Sequence, residues 1–204
     1  MLVFSAFVHG FVLALGLILP LGVQNVFVFN QGAMHKKFRS ALPVVVTASL
    51  CDTILLALAI LGVSVLILGA GWLRYALLLA GIAFLLYMAW ATWNSKPNAA
   101  NDKQAETFSA RKQITYAASV SLFNPHAIMD TVGVIGTSSL SYSGSEKWVF
   151  GLSCIAVSWL WFFSLALAGR FVRRLDASGK FLYYVNKVSA VFILLSALYM
   201  MFLF

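Results

Sequence analysis

Two aspartates, Asp52 and Asp130, stand in stretches otherwise almost free of charge, and a set of polar side chains gathers around two prolines elsewhere in the same apolar sequence. Gln24 and Asn25 follow Pro20 and Gly22 in Leu-Pro-Leu-Gly-Val-Gln-Asn; Asn124 and His126 flank Pro125 in Phe-Asn-Pro-His-Ala-Ile-Met-Asp. Carboxylates accept hydrogen bonds and attract cations, amides both donate and accept, and an imidazole can relay protons near neutral pH. Together they suit a polar solute with a cationic group, a coupling cation, or one of each. Each element also has a plainer reading. A proline can be a packing kink, an amide can be glue between helices, and a protonated aspartate can join two helices by hydrogen bonding.

The surrounding stretches decide what kind of protein positions these groups. Of 204 residues, 62% are hydrophobic and 10% charged, well below the roughly 25% charged residues of soluble domains. The first charge is Lys36. Beyond it, Ser40 to Gly69, Tyr75 to Trp93, Gln113 to Ser145, Trp148 to Gly169 and Phe181 to Phe204 hold at most one charge each. About 20 apolar residues cross roughly 30 Å of hydrocarbon. The expectation is an all-α integral membrane protein of six transmembrane helices. The N-terminal stretch lacks a basic leader region and is longer than a leader's apolar core, so it is read as a retained span. Cys51 and Cys154 fall inside spans without metal-ligand spacing, and neither a metal nor a cofactor is expected.

A net charge of +8 could signal nucleic acid, but its distribution argues against that partner. Eleven of the fourteen basic residues lie in alternate connections: Lys36, Lys37 and Arg39; Lys96, Lys103, Arg111 and Lys112; Arg170, Arg173, Arg174 and Lys180. Arg74 and Lys147 occupy the opposite connections, and Lys187 lies in the last span, able to snorkel to an interface. The positive-inside rule places the rich connections in the cytoplasm and, if all six segments cross, both termini outside.

The one long polar stretch, 94–112, divides the chain into a first three-helix repeat, 1–93, and a second, 113–204. An odd number of spans in each makes the repeats inverted, and both have a proline-broken first helix. Matching Pro20 with Pro125 superposes Asn25 on Asp130. Inverted-repeat transporters place their sites at such breaks near the midplane. Asp52, roughly 18 Å along a helix starting near Ser40, reaches a similar depth. An ionisable group at that depth marks a solute or ion path more often than not. The breaks should leave carbonyls near Ile18, Leu19, Phe123 and Asn124 without helical partners, tolerable only where protein or a cavity satisfies them. The candidate substrate-binding residues are therefore Asp52, Asp130, Gln24, Asn25, Asn124 and His126, with Pro20, Gly22 and Pro125 as helix breaks.

The run from Pro20 to Gly32, the Asp52-Thr-Ile-Leu segment ending in Leu61-Gly-Val63, and Asn124-Pro-His-Ala-Ile-Met-Asp130 resemble the signature segments of the LysE family of amino acid exporters, in its lysine and arginine branch. The resemblance covers essentially the whole chain. It departs at Val23, where the family commonly has proline, leaving the kink to Pro20 and Gly22, and at Met129, where leucine is common. It implies a multi-pass protein of the bacterial inner membrane, driven by the proton motive force, that exports basic amino acids, with important roles for Asp52 and Asp130. Protons and the lipid bilayer are the implied partners besides the substrate, and a homo-oligomer is compatible with it. The rival readings are an exporter of neutral amino acids or cations, a membrane enzyme using His126 with an acid, and an assembly subunit.

Overall fold

The computed structural model describes residues 2–20, 22–35, 37–63, 71–94, 108–122, 124–175 and 180–202, all without a β-strand. Helix α1 (Leu2–Ile18) is separated by Pro20 from α2 (Val23–Met34), and the two are bent by 79°. After a 3₁₀ turn, Phe38–Ala41, α3 (Leu42–Leu58) starts with Pro43 in its first turn, where the missing N–H has no acceptor to lose. It runs on into a π-helical segment, Ala59–Val63, in which Gly62 has φ 97°, a left-handed conformation that glycine adopts without penalty. Helix α4 (Gly71–Asn94) completes the first half.

In the second half, α5 (Ala110–Leu122) is separated by Asn124 from α6 (Pro125–Met129), which continues as a π-helical segment, Asp130–Gly136, and a last turn, Thr137–Ser139. Helices α7 (Gly144–Leu175) and α8 (Lys180–Phe202) follow. The expected fifth span, Trp148 to Gly169, is thus the centre of a longer helix, because a helix need not end where its apolar stretch meets water. Among the described residues, Phe38–Gly62 and Gly144–Val172 are each long and apolar enough to cross a membrane, and α1 with α2 makes a third if the bent pair is one span.

Packing is reciprocal. The broken helix α1–α2 lies along α7, while α5 and the π segment after Asp130 lie along α3; α3 also packs on α7, and α4 on α8. Bare backbone makes the first of these contacts possible. A Cβ at Gly32 would overlap the Ala166 carbonyl, and one at Gly169 would overlap the carbonyl of Phe29. Close approach of this kind replaces the hydrophobic drive that lipid does not supply between membrane helices.

The contacts also sort the ends. Gln113 Nε2 lies 3.0 Å from the Ser40 carbonyl, 2.9 Å from that of Phe108 and 2.9 Å from His35 Nε2, gathering the start of α5 with the α2–α3 connection. Lys187 Nζ donates to the Trp93 carbonyl at 2.6 Å and sits 4.0 Å over its ring, so the cation of α8 is held at the end of α4. Lys37, Arg39, Arg111, Lys112 and Arg170 belong to this basic end; Lys36, Lys96 and Lys103 lie outside the described residues. At the far end His9 Nδ1 and the Tyr142 hydroxyl are hydrogen-bonded at 2.8 Å.

Candidate functional site

The helix break after α1 is closed by a side chain. Pro20 has no N–H, and the Gly22 N–H turns back to the Pro20 carbonyl at 2.7 Å instead of reaching Ile18. The Ile18 carbonyl is thereby left over, as the sequence leads one to expect. Asn25 Nδ2 donates to it at 2.7 Å and to the Pro20 carbonyl at 2.8 Å. Asn25 Oδ1 in turn accepts from Trp161 Nε1 of α7 at 3.2 Å. At the second break the Asn124 carbonyl accepts from the Ile128 N–H at 3.0 Å, so Asn124 starts the new helix.

Asp52 is held from two sides. Gln24 Nε2 of α2 donates to Oδ1 at 3.0 Å, and the Ser158 hydroxyl of α7 donates to Oδ2 at 2.9 Å. One residue on in each helix, Trp159 Nε1 donates to the Thr53 hydroxyl at 3.1 Å, fixing the crossing of α3 and α7 beside the carboxylate. Both donors to Asp52 are neutral, so neither brings a compensating charge to the carboxyl group.

These groups meet in a cavity of about 150 Å³. Its lining includes Pro20, Gly22, Gln24, Asn25, Asp52, Asn124, Asp130, Thr131 and Ser158, with Leu56, Leu85, Cys154 and Phe162 among its apolar walls. Five of the six expected substrate-binding residues therefore share one cavity, although they come from α2, α3, the residue before α6 and the π segment after it. The side chains of His126 and Pro125 lie outside the described residues. Among the described lining residues there are two carboxylates and no lysine, arginine or histidine. The lining also takes in Val23, Gln24 and Asn25, the first residues of α2, whose N–H groups lack intrahelical acceptors. The cavity thus brings two carboxylates together with a helix N-terminus, whose dipole favours an anion.

Ser158, Trp161 and Thr131 were not singled out by the sequence. Serine and tryptophan in an apolar helix carry no signal of their own; their membership follows from where α7 crosses α2 and α3. The π-helical start at Asp130 is likewise a local departure that apolar periodicity does not register. Such segments recur at functional sites.

The chain matches the family described as LysE type translocator over residues 15–203. It is 56% identical over 186 residues to "Putative amino-acid transporter YisU" of Bacillus subtilis (strain 168), covering 91% of this chain and 84% of that protein. It is 33% identical over 167 residues to the arginine exporter protein ArgO of Pectobacterium carotovorum, covering 80% of each. With ArgO of Salmonella paratyphi A the identity is 34% over 170 residues, 80% of this chain and 77% of that one. No solved structure matches the chain.

Proposed function

This chain belongs to the LysE family of amino-acid translocators, and we propose that it is a secondary exporter of basic amino acids, arginine and lysine, from the cytoplasm, coupled to the proton motive force. The observation that carries this reading is the pairing of Asp52 and Asp130 in one cavity whose described lining holds no cationic side chain. A guanidinium or ammonium answers that imbalance, and a planar guanidinium matches carboxylate geometry especially well. The relatives named as arginine exporters support the same substrate class.

In this mechanism Asp52 and Asp130 bind the solute's cationic groups and, in the other part of the cycle, the proton that exchanges with it. Competition for the carboxylates is the coupling. Gln24, Asn124 and His126 contact the solute, and the N–H groups opening α2 take its carboxylate. Asn25 acts chiefly by holding the Pro20 break in shape, since both its amide hydrogens are engaged with backbone carbonyls.

The architecture we propose is six spans across the bacterial inner membrane, in inverted halves 1–93 and 113–204 joined by a cytoplasmic linker, 94–112. The reciprocal packing of α1–α2 on α7 and of α5 with its π segment on α3, with α3 against α7 and α4 against α8, is what a two-fold relation between the halves would give. The Pro20 and Pro125 breaks then occupy corresponding places. Export is tested by loading cells that lack their own exporters with labelled arginine or lysine and following efflux. Efflux above the empty-vector level is expected; none from a well-inserted protein would turn attention to neutral amino acids or cations.

A further inference from the structure

Among the described residues, the buried side-chain polar atoms with no hydrogen-bond partner in the protein are Asn30 Oδ1, Gln31 Oε1, Ser49 Oγ, Gln113 Oε1, Ser121 Oγ and Ser189 Oγ. All six lie on the basic side of the two proline breaks. The buried hydroxyls of Ser139 and Ser153, toward the far end, donate to carbonyls three residues back in their own helices, the usual way a helical hydroxyl is satisfied, as the less buried Ser119 hydroxyl does four residues back in α5. Burying polar atoms unpaired is costly, and native proteins carry few of them. Among the described residues these atoms all lie to one side of the cavity, where a conformation that admits water gives them partners.

Two of the six continue the cavity. Ser49 stands three residues before Asp52 and seven before Leu56, both of which line it, so all three share a face of α3, with Ser49 about one turn nearer the basic end. Gln31 stands seven residues after the lining residue Gln24, on the same face of α2 and about two turns nearer the same end. The helices run in opposite directions, and Gln24 is bonded to Asp52, so both displacements lead the same way from a shared point. Ser49 is 0% and Gln31 2% exposed, and the fully buried Val28 of α2 and Val45 and Ala48 of α3 belong to one apolar cluster, which also takes in Ala117 of α5 and Phe162 and Ala166 of α7. At the basic end the Gln113 amide holds the α2–α3 connection against α5. The Pro20 break, bent by 79°, is the place where α2 can turn as a body.

We propose that the facing sides of α2 and α3 form the route between the basic end and the cavity, with Ser49 and Gln31 as its polar stations, and that the route is closed in this conformation. It rests on the transporter reading above and says which face of the protein the solute passes. The hydroxyl and amide oxygens offer uncharged acceptors to an ammonium or guanidinium, enough to replace part of its hydration without trapping it as a carboxylate would. Opening moves α2 away from α3, admits water to the orphaned oxygens and separates Gln113 from the Ser40 carbonyl.

Single cysteines test this. Ser49→Cys, Gln31→Cys and the control Ala197→Cys are each placed in the otherwise unchanged protein and treated with a membrane-impermeant cationic methanethiosulfonate in sealed vesicles of each orientation, and the labelling of the unsubstituted protein, which keeps Cys51 and Cys154, is subtracted. Ala197 is fully buried in α8, away from the proposed route. Labelling of both Ser49→Cys and Gln31→Cys from the side of the basic loops, at least about tenfold faster than Ala197→Cys, is the expected result. Both being as inert as the control, or being reached from the opposite side alone, overturns the route. The two readings fail separately: arginine efflux with inert cysteines removes the route, whereas brisk labelling without efflux of either basic amino acid removes the substrate assignment. Ser49→Cys is nearly isosteric, and Gln31→Cys reports the same route independently.

Discussion

The Ser158 hydroxyl donates to Asp52 Oδ2 at 2.9 Å, tying α7 to α3 at the carboxylate proposed to carry the solute. Replacing it, Ser158→Ala, leaves Gln24 as the donor that orients Asp52. A hydrogen bond of this kind contributes about 1 kcal/mol, and 1.4 kcal/mol is about tenfold. Arginine efflux should fall about three- to tenfold at unchanged membrane abundance, with Ser158→Thr restoring most of it. Equal rates in wild type and Ser158→Ala would remove Ser158 from the site.

Asn25 distinguishes a structural amide from one that binds solute. Asn25→Ala orphans the Ile18 carbonyl and leaves that of Pro20 with the Gly22 N–H alone, and Asn25→Asp keeps the shape but has no N–H to give either. An unpaired buried group costs about 1–3 kcal/mol. Both variants should therefore lower the thermal unfolding midpoint of the purified protein to a similar extent. If Asn25→Asp were as stable as wild type, the amide would not be what closes the break.

The α2–α7 crossing gives a purely steric prediction. Gly32→Ala and Gly169→Ala each drive a methyl into a backbone carbonyl, which can move only with its helix, so a loss of about 1–3 kcal/mol is expected for each. Gly16→Ala meets nothing within 4 Å and should change stability by less than about 0.5 kcal/mol. Size-exclusion profiles of the solubilised variants, read as the monodisperse fraction after a heating series, check the contrast.

Much of the candidate site's lining was legible in the sequence because polar residues are conspicuous in apolar stretches. Asp52 and Asp130 in apolar stretches, and Gln24, Asn25 and Asn124 beside prolines, converge on one cavity although up to 106 positions separate Gln24 from Asp130 in the chain. The leftover carbonyl at Ile18 followed from proline chemistry. What Asn25 does with its amide did not, because that depends on the path of the chain through Gly22. Ser158 and Trp161 were hidden for a different reason. Their residue types are ordinary in an apolar helix, and they enter the site through the α7 crossing that Gly32 and Gly169 permit. The π segments at Ala59–Val63 and Asp130–Gly136 add one residue per turn to their hydrogen-bond rings, a change that leaves no clear mark on apolar spacing.

The central claim is that Asp52 and Asp130 together hold the cationic solute, and efflux of labelled arginine from preloaded cells expressing wild type, Asp52→Asn or Asp130→Asn at equal membrane abundance tests it most directly. The account predicts efflux from wild type and a loss of at least about tenfold in each variant; wild-type rates in both would contradict it.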